Sequence, residues 1–152
     1  MIYSSARNVD NASIFAEKHN IPKYYKSYED LLSDDSIDVV YVGSIADEHG
    51  KMTKACLKAG RPTVCEKPLT LNAKDTKELV ELARSEDIFL LEGLWSRFFP
   101  AVKKVSELIK DGEIGTVVNV QGDFGYSNLN FGLDDRIWKP SSGGKNLVKP
   151  QI

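Results

Sequence analysis

A glutamate, a lysine and a proline stand together at Glu66-Lys67-Pro68, directly after the apolar run at residues 63–65. The apolar run predicts a buried strand, and the proline predicts a fixed turn at its end. A lysine at this position can hydrogen-bond a hydroxyl or carbonyl oxygen and pass a proton. The alternative is an exposed lysine in an ordinary loop between strand and helix, and spacing alone favours that alternative.

Two further polar segments follow apolar runs in the same way. Residues 43–49 follow the run at 39–42, and residues 92–97 follow the run at 88–91. Open parallel sheets bind ligands beyond the carboxyl ends of their strands. The topology therefore predicts that these two segments and the lysine turn form one site.

The elements that position these segments alternate between extended and helical patterns up to about residue 112. Predicted strands lie at residues 2–6, 39–42, 63–65 and 88–91, and the continuous apolar run at 39–42 predicts burial on both faces. Strands of this kind separated by helices predict an α/β fold with a parallel sheet and helices on both faces. Ser27 and Asn72 are predicted helix caps, and Pro100 fits a first helical turn. The predicted apolar helix positions are Ala12, Phe15, Ala16 and His19; Leu31 and Leu32; Met52, Ala55, Cys56 and Ala59; Thr76, Leu79, Val80 and Ala83.

The pattern changes after Gly115. Val118, Val120 and Phe124 alternate with polar residues, which is typical of a strand with one wet face. We therefore predict a first domain at residues 1–115, the start of a second α+β domain at 116–140, and a divergent flexible tail at 141–152.

Composition excludes several classes of function. The 152 residues carry a net charge of −2, so no basic surface for nucleic acid or an anionic membrane is expected. The apolar runs are too short to span a bilayer, and the first residues have no apolar signal core. Cys56 and Cys65 lie apart from other metal-ligand residue types, so we expect buried, reduced thiols, no metal site and a cytoplasmic protein.

Several motifs in order resemble one family of oxidoreductases. The run Cys65-Glu66-Lys67-Pro68-Leu69 resembles the EKP motif of the Gfo/Idh/MocA family. Residues 93–100, which read Gly-Leu-Trp-Ser-Arg-Phe-Phe-Pro, resemble the branch with dihydrodiol dehydrogenases and NADP-dependent D-xylose dehydrogenases. Residues 28–32, 37–42 and 111–115 fit the same family, and the resemblance extends to about residue 140.

This resemblance implies a Rossmann-type doubly wound parallel sheet and a role for each site residue. Lys67 is the implied catalytic residue, next to the nicotinamide of NADP and the reacting hydroxyl, and Glu66 lies against the nucleotide. A cis peptide bond is implied before Pro68. Trp95 and Arg97 would close over nicotinamide and substrate.

The remaining implied cofactor contacts lie after the first two predicted strands. Ser44, Ile45 and His49 would line the ribose and pyrophosphate, although His49 is equally well explained as an ordinary residue at a helix start. Arg7 stands where NADP-dependent members place a cation against the 2′-phosphate. Its alternative is a solvated loop arginine, and His19 is interpreted only as a residue at a helix end.

Two parts of the family pattern are not found in these 152 residues. No G-x-G-x-x-G occurs, and the first strand matches the family's second strand, so we expect a sheet lacking its first strand. After Pro140 the residues no longer follow the family, and no acid or aromatic side chain follows Trp138 to act with Lys67. The sequence is therefore interpreted as truncated at both ends, by a gene-model error or by splicing.

The resulting hypothesis is an NADP-dependent oxidoreductase that transfers hydride between NADP and a small-molecule secondary alcohol, such as a trans-dihydrodiol or a sugar hemiacetal. The family resemblance implies a homodimer for the full-length enzyme. The alternative is a non-catalytic remnant without cofactor binding, and we expect the chain as given to be inactive.

Overall fold

The structure is a computed structural model that describes residues 3–123 and residue 139. Short strands and helices alternate along this part of the chain. This alternation confirms the α/β class predicted from the sequence. The elements are β1 (Tyr3–Ser5), α1 (Val9–Lys18), β2 (Lys23–Tyr25), α2 (Tyr28–Leu32), β3 (Val40–Val42), α3 (Ala46–Lys58), β4 (Thr63–Glu66), α4 (Ala73–Ser85), β5 (Leu90–Gly93), a 3-10 turn (Trp95–Phe98) and α5 (Pro100–Lys110).

The strands form two parallel sheets. β1 pairs with β2, and β3, β4 and β5 pair in that order. β1 and β3 are not hydrogen-bonded to each other, and within the described residues each pairs on one side only. The doubly wound order places a further strand between these two. The division therefore agrees with a Rossmann-type sheet that lacks its first strand.

The hydrophobic core lies between the three-stranded sheet and helices α3 and α4. α3 buries His49, Thr53, Cys56 and Leu57. The predicted stripe on this helix is thus partly wrong: Cys56 is buried, but Met52 is half-buried and Ala55 and Ala59 are exposed. The remaining core residues come from the sheet, the turn after β4, and α4: Val42, Cys65, Leu69, Leu79 and Ala83.

The prediction that strand 39–42 is covered on both faces is wrong. Val42 is buried, whereas Val39 and Tyr41 are exposed. The predicted strand at 88–91 also differs, because β5 begins at Leu90 and the side chains of Phe89 and Leu91 are exposed. The reason is that α3 and α4 lie on one face of the sheet and leave alternate side chains of the strands on the other face uncovered.

Helix boundaries agree with the predicted caps. The side chains of Ser27 and Asn72 each accept a hydrogen bond from the amide three residues later, at 3.0 and 2.9 Å. Pro100 begins α5. Gly60 follows α3 with a φ of 72°, a left-handed conformation that glycine adopts without steric cost.

Strand β2 was not predicted, and a side-chain cluster joins it to the end of α2. Asp34 accepts hydrogen bonds from the Lys23 ammonium at 2.8 Å and from the Tyr25 hydroxyl at 2.5 Å. The Lys23 ammonium also lies 4.6 Å from the centre of the Tyr25 ring. Leu31 and Leu32, predicted to be buried in α2, are only half-buried.

Helix α1 uses a narrower buried stripe than predicted. Ala12 and Ala16 are buried against the two-stranded sheet, but Phe15 is exposed and its ring contacts that of His19, with centres 4.4 Å apart. Residue 2 of the predicted first strand lies outside the described residues, and Ala6 follows the strand.

Residues 116–123 form neither helix nor strand, and Val118 and Val120 are exposed. The predicted strand is therefore absent over this described stretch. Phe124, most of the predicted second domain and the whole tail at 141–152 lie outside the described residues. None of the helices within residues 3–123 is long and apolar enough to cross a membrane.

Candidate functional site

The three polar segments lie at one edge of the three-stranded sheet. Val42 of β3 is paired with Cys65 of β4, and Glu66 of β4 is paired with Gly93 of β5. The carboxyl ends of β3, β4 and β5 therefore lie nearly side by side in the sheet. Because the strands are parallel, the segments that follow them meet at the carboxyl edge, where such sheets bind ligands.

The turn that carries Lys67 is fixed by side chains from three elements. The Lys67 amide donates to the Glu66 carboxylate at 3.0 Å, and the Leu69 amide donates to the Glu92 carboxylate at 2.9 Å. The Pro68 carbonyl lies 2.6 Å from Nδ1 of His49. The peptide bond between Lys67 and Pro68 is cis, as the family resemblance implied. The backbone of the turn is thus held from β4, β5 and α3.

The side chain of Lys67 is free of the contacts that fix its backbone. It is exposed, and its ammonium makes no hydrogen bond or ion pair among the residues that the structure describes. An ammonium on a rigid turn has three donors for a ligand. This geometry suits a group that must meet a hydroxyl or carbonyl oxygen at a set position.

His49 lies between two of the three segments. Its side chain is buried, and its ring nitrogens contact two carbonyl oxygens, Nδ1 with Pro68 and Nε2 with Ser44 at 2.9 Å. Carbonyl oxygens only accept, and a neutral imidazole carries a single N–H, so the neutral ring donates to one of these two carbonyls and its tautomer decides which. His49 therefore joins the segment after β3 to the lysine turn, and its predicted contact with the cofactor stays a prediction.

Tyr41 is a residue of this edge that sequence reasoning missed. Its hydroxyl donates to Oε1 of Glu66 at 2.7 Å. This hydrogen bond is the main reason that the pKa of Glu66 lies below its ordinary value, and the bond to Glu66 raises the pKa of Tyr41. Glu66 is thus an ionised acceptor at neutral pH. The available signal was a tyrosine one residue before the end of an apolar strand, where its polar hydroxyl can reach the carboxyl edge.

Ser44 and Ile45 connect β3 to α3. The Ser44 side chain is half-buried, and its hydroxyl lies 3.4 Å from the Ile45 carbonyl oxygen. Ile45 is the N-cap residue of α3, and no side chain caps this helix start. Because the first amides of a helix lack partners within the helix, this segment offers backbone donors beside the lysine turn.

Trp95 and Arg97 lie in the 3-10 turn that follows β5. Since Glu66 is paired with Gly93, this turn is next to the Lys67 turn. Both side chains are exposed, and the Trp95 ring contacts that of Phe99, with centres 5.1 Å apart. The structure therefore brings Trp95 and Arg97 to the same edge as Lys67.

Arg7 is the one predicted site residue on the other sheet. It follows β1 directly, is exposed, and makes no ion pair within residues 3–123. The two sheets are linked at their opposite side by Arg61, which donates to the Leu32 carbonyl at 2.9 Å and to Asp35 at 2.8 Å. Arg7 is thus at a carboxyl end, but the strands do not bring it beside Lys67.

These residues suit an anionic dinucleotide more than a metal. Exposed cations at Arg7 and Lys67, and uncapped amides at α3, are donors of the kind that phosphates and hydroxyls bind. No group of three or more potential metal ligands is found within the described part of the chain. Cys56 and Cys65 are buried and unpaired, as expected, and burial raises the pKa of both thiols.

Comparison with known proteins identifies the family of the chain. Residues 3–94 match the Gfo/Idh/MocA family, described as an oxidoreductase family with an NAD-binding Rossmann fold. The chain is 41% identical to trans-1,2-dihydrobenzene-1,2-diol dehydrogenase of Danio rerio over 143 aligned residues. The alignment covers 94% of the chain and 42% of that protein. The chain thus spans about two fifths of the length of this relative.

Solved structures give the same fold. A probable dehydrogenase from Thermotoga maritima matches with a TM-score of 0.68 and 34% identity over 76% of the chain and 35% of that protein. KijD10, a 3-ketoreductase from Actinomadura kijaniata in complex with NADP and TDP-benzene, matches with a TM-score of 0.64 and 28% identity over 74% of the chain and 34% of that protein. The chain belongs to the Gfo/Idh/MocA oxidoreductase family and carries part of its NAD-binding Rossmann fold.

Proposed function

We propose that this chain is the cofactor-binding part of an NADP-dependent oxidoreductase that transfers hydride between NADP and a secondary alcohol. The observation that carries the proposal is the lysine turn, whose backbone is fixed from three elements while the Lys67 ammonium is exposed and unpaired in the described structure. The substrate is a small molecule, with a trans-dihydrodiol suggested by the relatives and D-xylose by the motif resemblance alone.

Lys67 is the proposed catalytic residue. The nicotinamide, when bound, accepts or supplies the hydride, and Lys67 moves the proton at the reacting oxygen atom. Hydroxyl oxidation needs proton removal at that oxygen, and a positioned side chain accelerates such a step by about 10² to 10⁴-fold. Trp95 and Arg97, on the neighbouring turn, would orient the nicotinamide and substrate and exclude water.

The remaining proposed contacts lie on the nucleotide side. Glu66 is adjacent to the nucleotide, and Ser44, Ile45 and His49 line the ribose and pyrophosphate. His49 also holds the segment after β3 against the lysine turn. Arg7 selects NADP by pairing with the 2′-phosphate, because a guanidinium binds phosphate oxygens in a bidentate fashion. The NADP complex of the 3-ketoreductase supports this choice of cofactor.

We further propose a cytoplasmic homodimer. Two buried, unpaired thiols fit a reducing compartment, although they do not require one. The homodimer rests on the family resemblance.

A second candidate is a non-catalytic remnant that does not bind the cofactor. It is favoured by one observation, namely that the 152 residues contain no G-x-G-x-x-G. That turn normally supplies the backbone amides that receive the pyrophosphate. For this reason we expect the isolated 152-residue chain to bind NADP very weakly and to be inactive.

Calorimetric titration with NADP, followed by a turnover assay with a trans-dihydrodiol and with D-xylose, distinguishes the two candidates. The assay needs a form of the protein that spans the length of the relatives. Saturable NADP binding with turnover of either alcohol supports the oxidoreductase. If such a form binds no NADP, the remnant is the correct interpretation.

A further inference from the structure

We propose that Tyr41 is a positioning residue that fixes the lysine turn through the carboxylate of Glu66. The importance of that turn for catalysis rests on the proposed function of Lys67, but the contacts themselves do not. Among the residues with a role predicted from the sequence, the Tyr41 hydroxyl is hydrogen-bonded to Glu66 and not to Lys67.

The register of the sheet brings these two side chains together. Tyr41 of β3 is paired with Val64 of β4, and Glu66 lies two residues further along β4. Side chains two residues apart on a strand point to the same face, and an aromatic side chain reaches a diagonal neighbour. The Tyr41 ring therefore extends along the uncovered face toward the carboxyl edge, where its hydroxyl meets Oε1 of Glu66 at 2.7 Å.

The path of the ring depends on Gly43. A Cβ atom at this position would lie 2.9 Å from Cε1 of Tyr41, closer than real Cβ contacts occur. The tyrosine ring therefore lies directly against the backbone of the segment after β3. One side of the ring therefore faces this backbone, and its outer surface is exposed.

Both oxygens of Glu66 are used, and they are used for different partners. Oε1 accepts from Tyr41, and Oε2 accepts from the Lys67 amide at 3.0 Å. The two oxygens belong to one planar carboxylate, so a bond that fixes one of them also limits the position of the other. The carboxylate that accepts from Tyr41 is thus the same one that accepts from the backbone of the lysine turn.

Glu66 is a negatively charged acceptor, which suits the two donors that it binds. The titratable groups that face it are the Tyr41 hydroxyl on β3, the Lys67 ammonium after β4 and the His49 ring on α3. The Tyr41 bond lowers the pKa of Glu66 most, so the carboxylate remains a charged acceptor. Hydrogen bonds to a charged acceptor are about twice as strong as neutral ones.

Hydrogen exchange of the full chain, followed by mass spectrometry with fragmentation of a peptide that begins well before Glu66, tests the proposal at the Lys67 amide. Pro68 has no amide, and the next amide, that of Leu69, is bonded to Glu92 and serves as an internal reference. We expect Tyr41→Phe to accelerate exchange of the Lys67 amide by about five- to tenfold, the factor that one ordinary hydrogen bond represents. Tyr24→Phe is the matched control, since Tyr24 is an exposed tyrosine in β2 of the other sheet.

Glu66→Gln is the second variant. A glutamine turned with its oxygen toward the Lys67 amide and its NH₂ group toward the Tyr41 hydroxyl, which also accepts, keeps both bonds, so the Lys67 amide should exchange at close to its original rate. Glu66→Ala removes the acceptor of both groups, so it should accelerate exchange of the Lys67 amide, and adding Tyr41→Phe to it should cause no further change if Tyr41 acts through Glu66. Additive acceleration in that double variant, or an unchanged Lys67 amide in Tyr41→Phe, overturns the proposal.

A carbon-13 titration of the Glu66 carboxyl gives an independent readout. We expect its midpoint to rise in Tyr41→Phe and to stay unchanged in Tyr24→Phe, and an unchanged midpoint in Tyr41→Phe counts against the proposal. Neither experiment contains NADP. If a form that spans the length of the relatives binds no NADP while these effects are present, the proposed function is contradicted and the positioning role of Tyr41 stands.

Discussion

Nδ1 of His49 lies 2.6 Å from the carbonyl oxygen of Pro68, so a buried side chain of α3 is bonded to the turn that carries Lys67. The other ring nitrogen contacts the Ser44 carbonyl. We expect His49→Ala to lower the free energy of unfolding by roughly 2 to 5 kcal/mol, because a buried ring that hydrogen-bonds to the backbone is lost and a cavity forms. Urea unfolding followed by circular dichroism measures the loss.

His19→Ala is the control for this prediction. His19 is exposed at the end of α1, and surface substitutions usually change stability by less than about 0.5 kcal/mol. An equal effect of the two substitutions would show that the bonds of His49 contribute nothing beyond those of an ordinary histidine.

Lys67→Met tests the proposed catalytic residue in a form of the enzyme that spans the length of its relatives. We expect kcat to fall by about 10² to 10⁴-fold while NADP affinity changes little, because the ammonium acts at the reacting oxygen. Lys58→Met is a suitable control, since Lys58 is an exposed lysine at the end of α3. Turnover close to that of the unmodified enzyme removes Lys67 from the mechanism.

Arg7→Asp tests the choice of cofactor. The substitution replaces an attraction for the 2′-phosphate by a repulsion, so NADP should bind more weakly and NAD should come closer to parity. The ratio of the two dissociation constants is the measurement. Arg84→Asp, which makes the same change of charge on α4, should leave the ratio alone, and an unmoved ratio in Arg7→Asp would identify Arg7 as an ordinary loop residue.

Local features of the fold could be predicted from the sequence, and tertiary ones could not. Ser27, Asn72 and Pro100 act within one turn of their own helix, so their residue types alone indicated the boundaries. Which faces of the strands are covered depends on where α3 and α4 pack. The apolar run that contains Val39 and Tyr41 therefore predicted burial on both faces, whereas the structure covers one.

The same distinction applies to the candidate site. Topology placed the three segments at one edge, and the register of β3, β4 and β5 shows how they meet. The partners of the turn could not be derived, because they depend on that register and on the depth of α3. Tyr41 was overlooked for this reason, Glu92 was placed in the third segment without a partner, and the contacts of the His49 ring with two backbone carbonyls were not predicted.

Asp34 gives the chain a defined dependence of stability on pH. The hydrogen bond from the Lys23 ammonium, with those from Ser36 and Tyr25, holds the pKa of Asp34 well below its usual range. The folded state therefore gains stability from Asp34 above the unfolded pKa of about 4, and loses it as the pH falls below that value. We expect Asp34→Asn to destabilise the chain at pH 7 and to approach the unmodified chain in stability as the pH falls below 4.

Thermal unfolding between pH 7 and pH 3 measures this difference. Asp38→Asn is the control, because Asp38 is an exposed carboxylate before β3 with no bond in the described structure. A constant difference between Asp34→Asn and the unmodified chain over this range would contradict the assigned role of the carboxylate.

The open edges of the two sheets lead to a prediction about association. β1 and β3 each carry unpaired backbone groups on one side within the described residues, and Val39, Phe89 and Leu91 are exposed on the uncovered face of the three-stranded sheet. Unpaired strand edges beside apolar side chains favour pairing with other chains. We therefore expect the 152-residue chain to bind a hydrophobic dye and to associate with increasing concentration, as measured by fluorescence and sedimentation.

Leu91→Lys should reduce both effects, because a charge on this face opposes stacking. Ile14→Lys, a change at an exposed position of α1, should alter them less. A chain that remains monomeric at high concentration and binds no dye would show that the gap between β1 and β3 is closed in solution.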